Sequence, residues 1–125
     1  KGAAGLVVVT TLGTGIGTAL IYDGALIPNS ELGQIEIDGV RAETRAAASI
    51  KTKDALSYDE YVPRLQRYYA TLEKLLSPDL FVVGGGISRE SDKFLPRLSL
   101  RTPIIPAELR NQAGIVGAAW LAANS

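Results

Sequence analysis

Apolar and polar positions change period along this chain. Residues 5 to 12 are apolar and β-branched almost without interruption, the pattern of a strand covered on both faces. Thr18 to Tyr22 predicts a second short strand, and Asp23-Gly24 is a strong hairpin turn signal. Ala25 to Pro28 follows as a third strand, ended or confined to an edge by Pro28, which cannot donate to a ladder. The segment from Asn29 to Gly39 is polar and glycine-punctuated, with the alternating piece Gln34 to Asp38 reading as a short strand. Arg41 to about Ser49 is rich in Ala and charge and predicts a helix, and Lys51 to Asp54 reads as a connector.

The clearest helix covers residues 58 to 76. Tyr61, Leu65, Tyr68, Leu72, Leu75 and Leu76 recur at steps of three and four, one stripe of a 3.6 period. Ser57 and Glu60 fit a capping box, and Ser77-Pro78 stops the run. Pro63 would kink a helix begun at Ser57, so a start near Val62 is the alternative. Leu80 to Val83 predicts a buried strand, Ser88 to about Leu98 a short helix broken at Pro96, and Thr102 to Pro106 a last extended piece. Gly114 to Ala122 predicts a closing helix whose small residues suit close packing on a sheet. The order implies α/β: a mixed sheet with an antiparallel meander at its start, parallel crossovers afterwards and flanking helices.

Composition narrows the chemistry. At 125 residues with 46% apolar content, the chain is one domain with a real core. Thirteen basic residues balance thirteen acidic ones, which argues against a bulk electrostatic grip on nucleic acid or membrane. Cysteine and histidine are both absent, so thiolate zinc sites and histidine bases are excluded, and acid–base work falls to carboxylates, lysine or tyrosine. No apolar stretch approaches a bilayer span, and the start does not fit a signal peptide. The sequence has no Met, so a longer parent or a processed form is expected.

Three features carry candidate chemistry. Gly13-Thr14-Gly15-Ile16-Gly17 joins two strands, so it lacks the helix that a Rossmann or P-loop glycine motif opens. Such a loop either makes a hairpin with glycines at positive φ, or bares consecutive N–H groups and the Thr14 hydroxyl to a phosphate. Gly84-Gly85-Gly86 either makes a tight strand-to-helix connection or lets a ring or sugar lie on the backbone, with the helix N-terminus near Ser88 facing a phosphate. The carboxylates and amides Glu31, Gln34, Glu36, Asp38 and Glu43 suit sugar hydroxyls, a hard cation or plain solvation. Arg89, Lys93, Arg97 and Arg101 offer either a basic track for polyphosphate or one solvated helix face.

Taken in order, L-G-T-G-I-G, N-S-E-L-G-Q-I-E-I-D-G, A-E-T-R-A, S-P-D-L-F-V-V-G-G-G-I-S and L-R-T-P-I-I-P-A-E-L-R-N-Q-A-G-I-V-G-A-A resemble the C-terminal half of a ROK-family sugar kinase of the polyphosphate/ATP glucokinase type. The resemblance implies an actin-like ATPase, ribonuclease-H-like domain over residues 1–125, packed in the family against an N-terminal domain across the active cleft. It implies that Gly13, Thr14, Gly15 and Gly17 line the donor phosphate path. Gly84, Gly85 and Gly86 would border the nucleotide or polyphosphate, and Glu31, Gln34 and Glu43 would hold the sugar. Gln34 stands where the family carries a His, which puts the choice of sugar in question. The cysteines that complete a zinc site elsewhere in the family are absent, so no zinc is expected, and Mg²⁺ would arrive with the donor.

The family's catalytic Asp and first phosphate loop have no counterpart here, and Asp38 and Asp79 match no base position. The implied parent transfers phosphate from polyphosphate or ATP to the 6-hydroxyl of glucose, in the cytoplasm and as a homodimer, with neither nucleic acid nor membrane as partner. The chain alone is expected to be inactive. A sugar-sensing repressor domain of the same family and an isolated, self-associating fragment are the alternatives.

Overall fold

Local signals set the meander at the start of the chain. In the computed structural model, which describes residues 5–28 and 30–107, strands β1 (Leu6–Leu12), β2 (Ile16–Tyr22) and β3 (Ala25–Ile27) run antiparallel in sequence order. The β2–β3 turn carries Asp23 at φ 51° and Gly24 at φ 85°, the left-handed pair that matches strand twist in a two-residue hairpin. β2 begins at Ile16, two residues before the expected start, because pairing with β1 continues to Leu12 opposite Ile16.

The remaining strands add on the other side of β1. β6 (Leu80–Gly84) pairs parallel to β1, and β7 (Ile104–Pro106) pairs parallel to β6. The five-stranded order is β3-β2-β1-β6-β7, a mixed sheet in which the antiparallel half meets the parallel half at β1. The crossover from the meander to β6 contains a small hairpin, β4 (Glu36–Ile37) with β5 (Val40–Arg41), and helices α1 (Glu43–Ala46), α2 (Ala48–Lys53) and α3 (Tyr58–Leu76). The expected single strand over Gln34–Asp38 is therefore a hairpin instead. A 3-10 turn takes Leu32–Gln34, and Asp38 and Gly39, both at positive φ, reverse the chain. The expected connector over Lys51–Asp54 is mostly helix, since α2 runs to Lys53.

Helix α3 packs the core. Tyr61, Val62, Leu65, Tyr68, Tyr69 and Leu72 are buried from it, beside Val8, Leu12, Phe81 and Val83 from β1 and β6. Tyr69 stands edge-on to Tyr68 and to Phe81, with ring centroids 5.3 and 5.2 Å apart. Leu75 departs from the expected stripe and is 65% exposed, because the inward line passes from Leu72 to Leu76 at a step of four. Ser57 caps the helix in a complete capping box, so α3 starts at Tyr58 and Pro63 lies inside it, not at a first position near Val62. The segment after β6 forms 3-10 turns over Gly86–Lys93 and Leu95–Arg97 in place of the expected short helix. The predicted helix over Gly114–Ala122 lies outside the described residues.

Candidate functional site

Both glycine turns sit at the same end of neighbouring strands. Gly84 ends β6 opposite Thr11 in the parallel ladder, and the β1–β2 connection begins at Gly13. Gly85, at φ 95°, packs against the end of β1 so closely that a Cβ there would run into the Leu12 backbone. An open groove of about 300 Å³ lies here, lined by residues 11–17, Glu43 and Gly85.

The loop at this groove does not present five free amides. The Gly13 amide donates to the Gly15 carbonyl at 2.9 Å, and the Ile16 amide donates to Glu43 Oε1 at 3.1 Å. Gly17 is inside β2, opposite Thr11. The two remaining amides, those of Thr14 and Gly15, have no protein partner among the described residues. The consecutive N–H groups open to a ligand are thus an adjacent pair, beside the exposed Thr14 side chain.

Glu43 joins this loop to the polar turn that precedes the β4–β5 hairpin. Its Oε1 accepts from Ile16, and its Oε2 accepts from Gln34 Nε2 at 2.8 Å. Arg41 donates to Gln34 Oε1 at 3.0 Å, which fixes the orientation of the Gln34 amide between a donor and an acceptor. The Ile16 amide first, then the Gln34 amide, hold the Glu43 carboxyl below its usual range. Gly15 leaves the space that Glu43 occupies, since a Cβ on Gly15 would lie 2.6 Å from Oε1.

The turn itself is pinned to β2. Leu32 donates from its amide to Thr18 Oγ1 at 3.2 Å, and Ser30 Oγ donates to the Thr18 carbonyl at 3.1 Å. Gly33 is buried against Ile16, where a Cβ would lie 2.5 Å from the Ile16 carbonyl oxygen. Glu31 is exposed on this turn, and its carbonyl accepts from the Gln34 amide at 3.0 Å. Gln34 and Glu43 are thus brought together and Glu43 is tied to the glycine loop, whereas neither Glu31 nor Gln34 lines the groove.

Of the second glycine turn only Gly85 lines the groove. The expected helix N-terminus near Ser88 does not face it. The Ser88 amide and hydroxyl both donate to the Gly85 carbonyl, at 3.0 and 2.6 Å, so its donors turn inward. The basic residues that follow are partly neutralised: Lys93 lies 3.7 Å from Glu90, and Arg97 lies 2.8 Å from Asp59.

Ser49 is the site residue that sequence reasoning missed. Its amide donates to the Gly13 carbonyl at 2.9 Å and its hydroxyl to the Thr14 carbonyl at 2.7 Å. Within the sequence it is one more Ser at the end of an Ala-rich segment, and no local signal separates it from a solvated helix position.

No family model matches the chain. The polyphosphate glucokinase of Mycobacterium tuberculosis (strain ATCC 25618 / H37Rv) is 51% identical to it over 119 residues, which is 95% of this chain and 45% of that protein. The crystal structure of the inorganic polyphosphate/ATP-glucomannokinase from Arthrobacter sp. strain KM superposes with a TM-score of 0.88 at 59% identity, over 100% of this chain and 50% of that one. A ROK family glucokinase from Streptomyces griseus, solved in complex with glucose and AMPPNP, matches with a TM-score of 0.66 at 21% identity, over 91% of this chain and 59% of that one. The chain spans about half the length of the relatives it matches. The mixed sheet with its flanking helices is the actin-like ATPase fold of the ROK sugar kinases.

Proposed function

The chain is a homologue of the polyphosphate glucokinases over nearly all of its own length, and from that premise we propose that it forms one wall of a two-domain glucokinase. The parent enzyme transfers a phosphoryl group from polyphosphate or ATP to the 6-hydroxyl of glucose. This chain is its C-terminal domain, and the base that deprotonates the hydroxyl comes from the other half. The observation that carries the reading is the Glu43 bridge. One carboxylate ties the glycine loop to the turn bearing Glu31 and Gln34, beside an open groove.

Each part of that wall has a role in the reading. The Thr14 and Gly15 amides and the Thr14 hydroxyl receive oxygens of the donor phosphate, where charge builds in the transition state. Gly85 gives the nucleotide or polyphosphate a surface without side chains, with Gly84 and Gly86 flanking it. Glu31 and Gln34 receive sugar hydroxyls, and Glu43 orients Gln34 while holding the loop. Among the described residues no group of three or more acidic side chains is placed to hold a metal ion. Mg²⁺ would arrive with the donor phosphates and neutralise part of their charge. A cytoplasmic location follows from the donor, and the exposed apolar side chains of Tyr22, Leu26 and Ile27 fit a homodimer or a covering domain.

A coupled glucose-phosphorylation assay with either donor tests the reading. A protein extended by the preceding segment is expected to turn over, and the 125-residue chain alone is expected to show no turnover. Activity of the short chain at the level of a two-domain relative would refute the single-wall reading. An extended protein inert toward glucose with both donors would refute the glucokinase assignment.

A further inference from the structure

The glycine loop has one side that donates and one side that accepts, and a single residue outside it explains the division. A trans peptide is planar, so its C=O and the following N–H point in opposite directions. The structure has no cis peptide bond among the described residues. Ser49 takes the carbonyls of two successive peptides, with its amide on Gly13 and its hydroxyl on Thr14. The amides across those two peptides are the ones of Thr14 and Gly15. They are also the two loop amides with no protein partner, and both residues line the groove, whereas Ser49 does not.

We infer that Ser49 is a positioning residue for the phosphate-binding loop: by holding the Gly13 and Thr14 carbonyls on the α2 side, it aims the Thr14 and Gly15 amides together into the groove. This rests on the reading of that loop as the donor-phosphate site. The physical need is clear, because a carbonyl oxygen turned toward a phosphate would repel it, and one flipped peptide would replace a donor by an acceptor. The fold meets that need through a break at Ala47, whose extended backbone (φ −64°, ψ 148°) separates α1 from α2. The break starts α2 at Ala48, so the Ser49 amide falls in the first turn, where a helix leaves its amides unpaired. Glu43 clamps the next amide along, that of Ile16, and closes the loop from the other end.

The two bonds from Ser49 give a residue-specific test. Ser49→Ala removes the hydroxyl bond to Thr14 O and leaves the amide bond to Gly13 O. It should therefore release the Gly15 amide and spare the Thr14 amide. The 125-residue chain labelled with ¹⁵N is titrated with inorganic tripolyphosphate. In the unsubstituted chain both amides are expected to shift. In S49A the Gly15 shift is expected to shrink while that of Thr14 persists, with affinity down about fivefold, the scale of one hydrogen bond. Ser49→Thr, which keeps the hydroxyl, is expected to restore both. Unsubstituted binding with the same two shifts in S49A overturns the role of Ser49 alone. No shift from Gly13 to Gly17 in the unsubstituted chain overturns the phosphate-loop reading, and the inference with it.

Discussion

Two adjacent tyrosines on α3 show how much a single hydroxyl depends on its surroundings. Tyr69 is fully buried, and its hydroxyl pairs with Thr10 Oγ1 at 2.6 Å. Tyr68 is 1% exposed, and its hydroxyl has no partner among the described residues. Burial pushes both phenols up, so each is neutral at any working pH. Removing a paired buried hydroxyl strands its partner, whereas removing an unpaired one relieves a desolvation cost. Tyr69→Phe is expected to lower unfolding free energy by about 1 to 2 kcal/mol, leaving Thr10 only the Val82 carbonyl at 3.5 Å. Tyr68→Phe is expected to be neutral or stabilising by up to about 1 kcal/mol. Denaturant melts of the pair decide this, and equal losses in both would contradict the assignment of partners.

Glu43 makes a pH-dependent prediction at the same scale. Its folded carboxyl lies below the usual range, so the ionised form stabilises the fold. That contribution is complete above the unfolded value of about 4.3, and it fades as pH falls through the lower folded value. Glu43→Gln keeps an acceptor for the Ile16 amide but sets an NH₂ against the Gln34 NH₂, which Arg41 prevents from turning freely. The variant should be less stable at neutral pH by about 1 kcal/mol. The gap to the unsubstituted chain should narrow as pH falls below the unfolded value of about 4.3 and through the lower folded value. A gap constant over that range would mean that the carboxylate is not held by these two donors.

At the scale of elements, legibility followed the range of the interaction responsible. The Asp23-Gly24 turn, the α3 cap and the strand over Leu80–Val83 are written in residues close to one another, and the structure shows them as read, with Phe81 and Val83 buried but Leu80 and Val82 only half-buried. Replacing Ser57 by Ala should cost about 1 kcal/mol of stability, measurable as a lower melting midpoint, because it removes the side-chain acceptor of the Glu60 amide and leaves it only the Ser57 carbonyl at 3.1 Å. No loss would show that the Glu60 arm of the box suffices. Asp38-Gly39 carried the same signal as Asp23-Gly24, but the alternation that leads into it reads as one short strand ending at Asp38, and the turn chemistry prevails. The Ala47 break had no sequence signal at all, since alanine favours continuing a helix. It accompanies the contact of Ser49 with a loop 35 residues earlier in the chain, a contact visible only once β1 and α2 are placed together. The site was legible to the same extent. The glycines announced the close approach of backbone, and the division of amides between protein and groove needed coordinates.

Across the whole molecule, charge decides how a polyanion would be held. Thirteen basic and thirteen acidic residues cancel, so no net field draws phosphate toward the chain. The one sequence cluster suited to a basic track is partly spent, with Lys93 beside Glu90 and Arg97 beside Asp59. Exposed pairs of this kind contribute little to stability and offer little free charge to a ligand. Binding through two aimed amides then depends on geometry more than on long-range attraction, which salt screens over about 8 Å at physiological ionic strength. Tripolyphosphate affinity of the 125-residue chain should fall only severalfold over a salt series that spans this screening range, and Lys93→Ala and Arg97→Ala should leave it unchanged. A steep salt dependence, or a large loss in either variant, would move the grip from the loop to the basic side chains after Gly86. The glycine turn there would then matter as the root of a cationic arm and no longer as a bare surface.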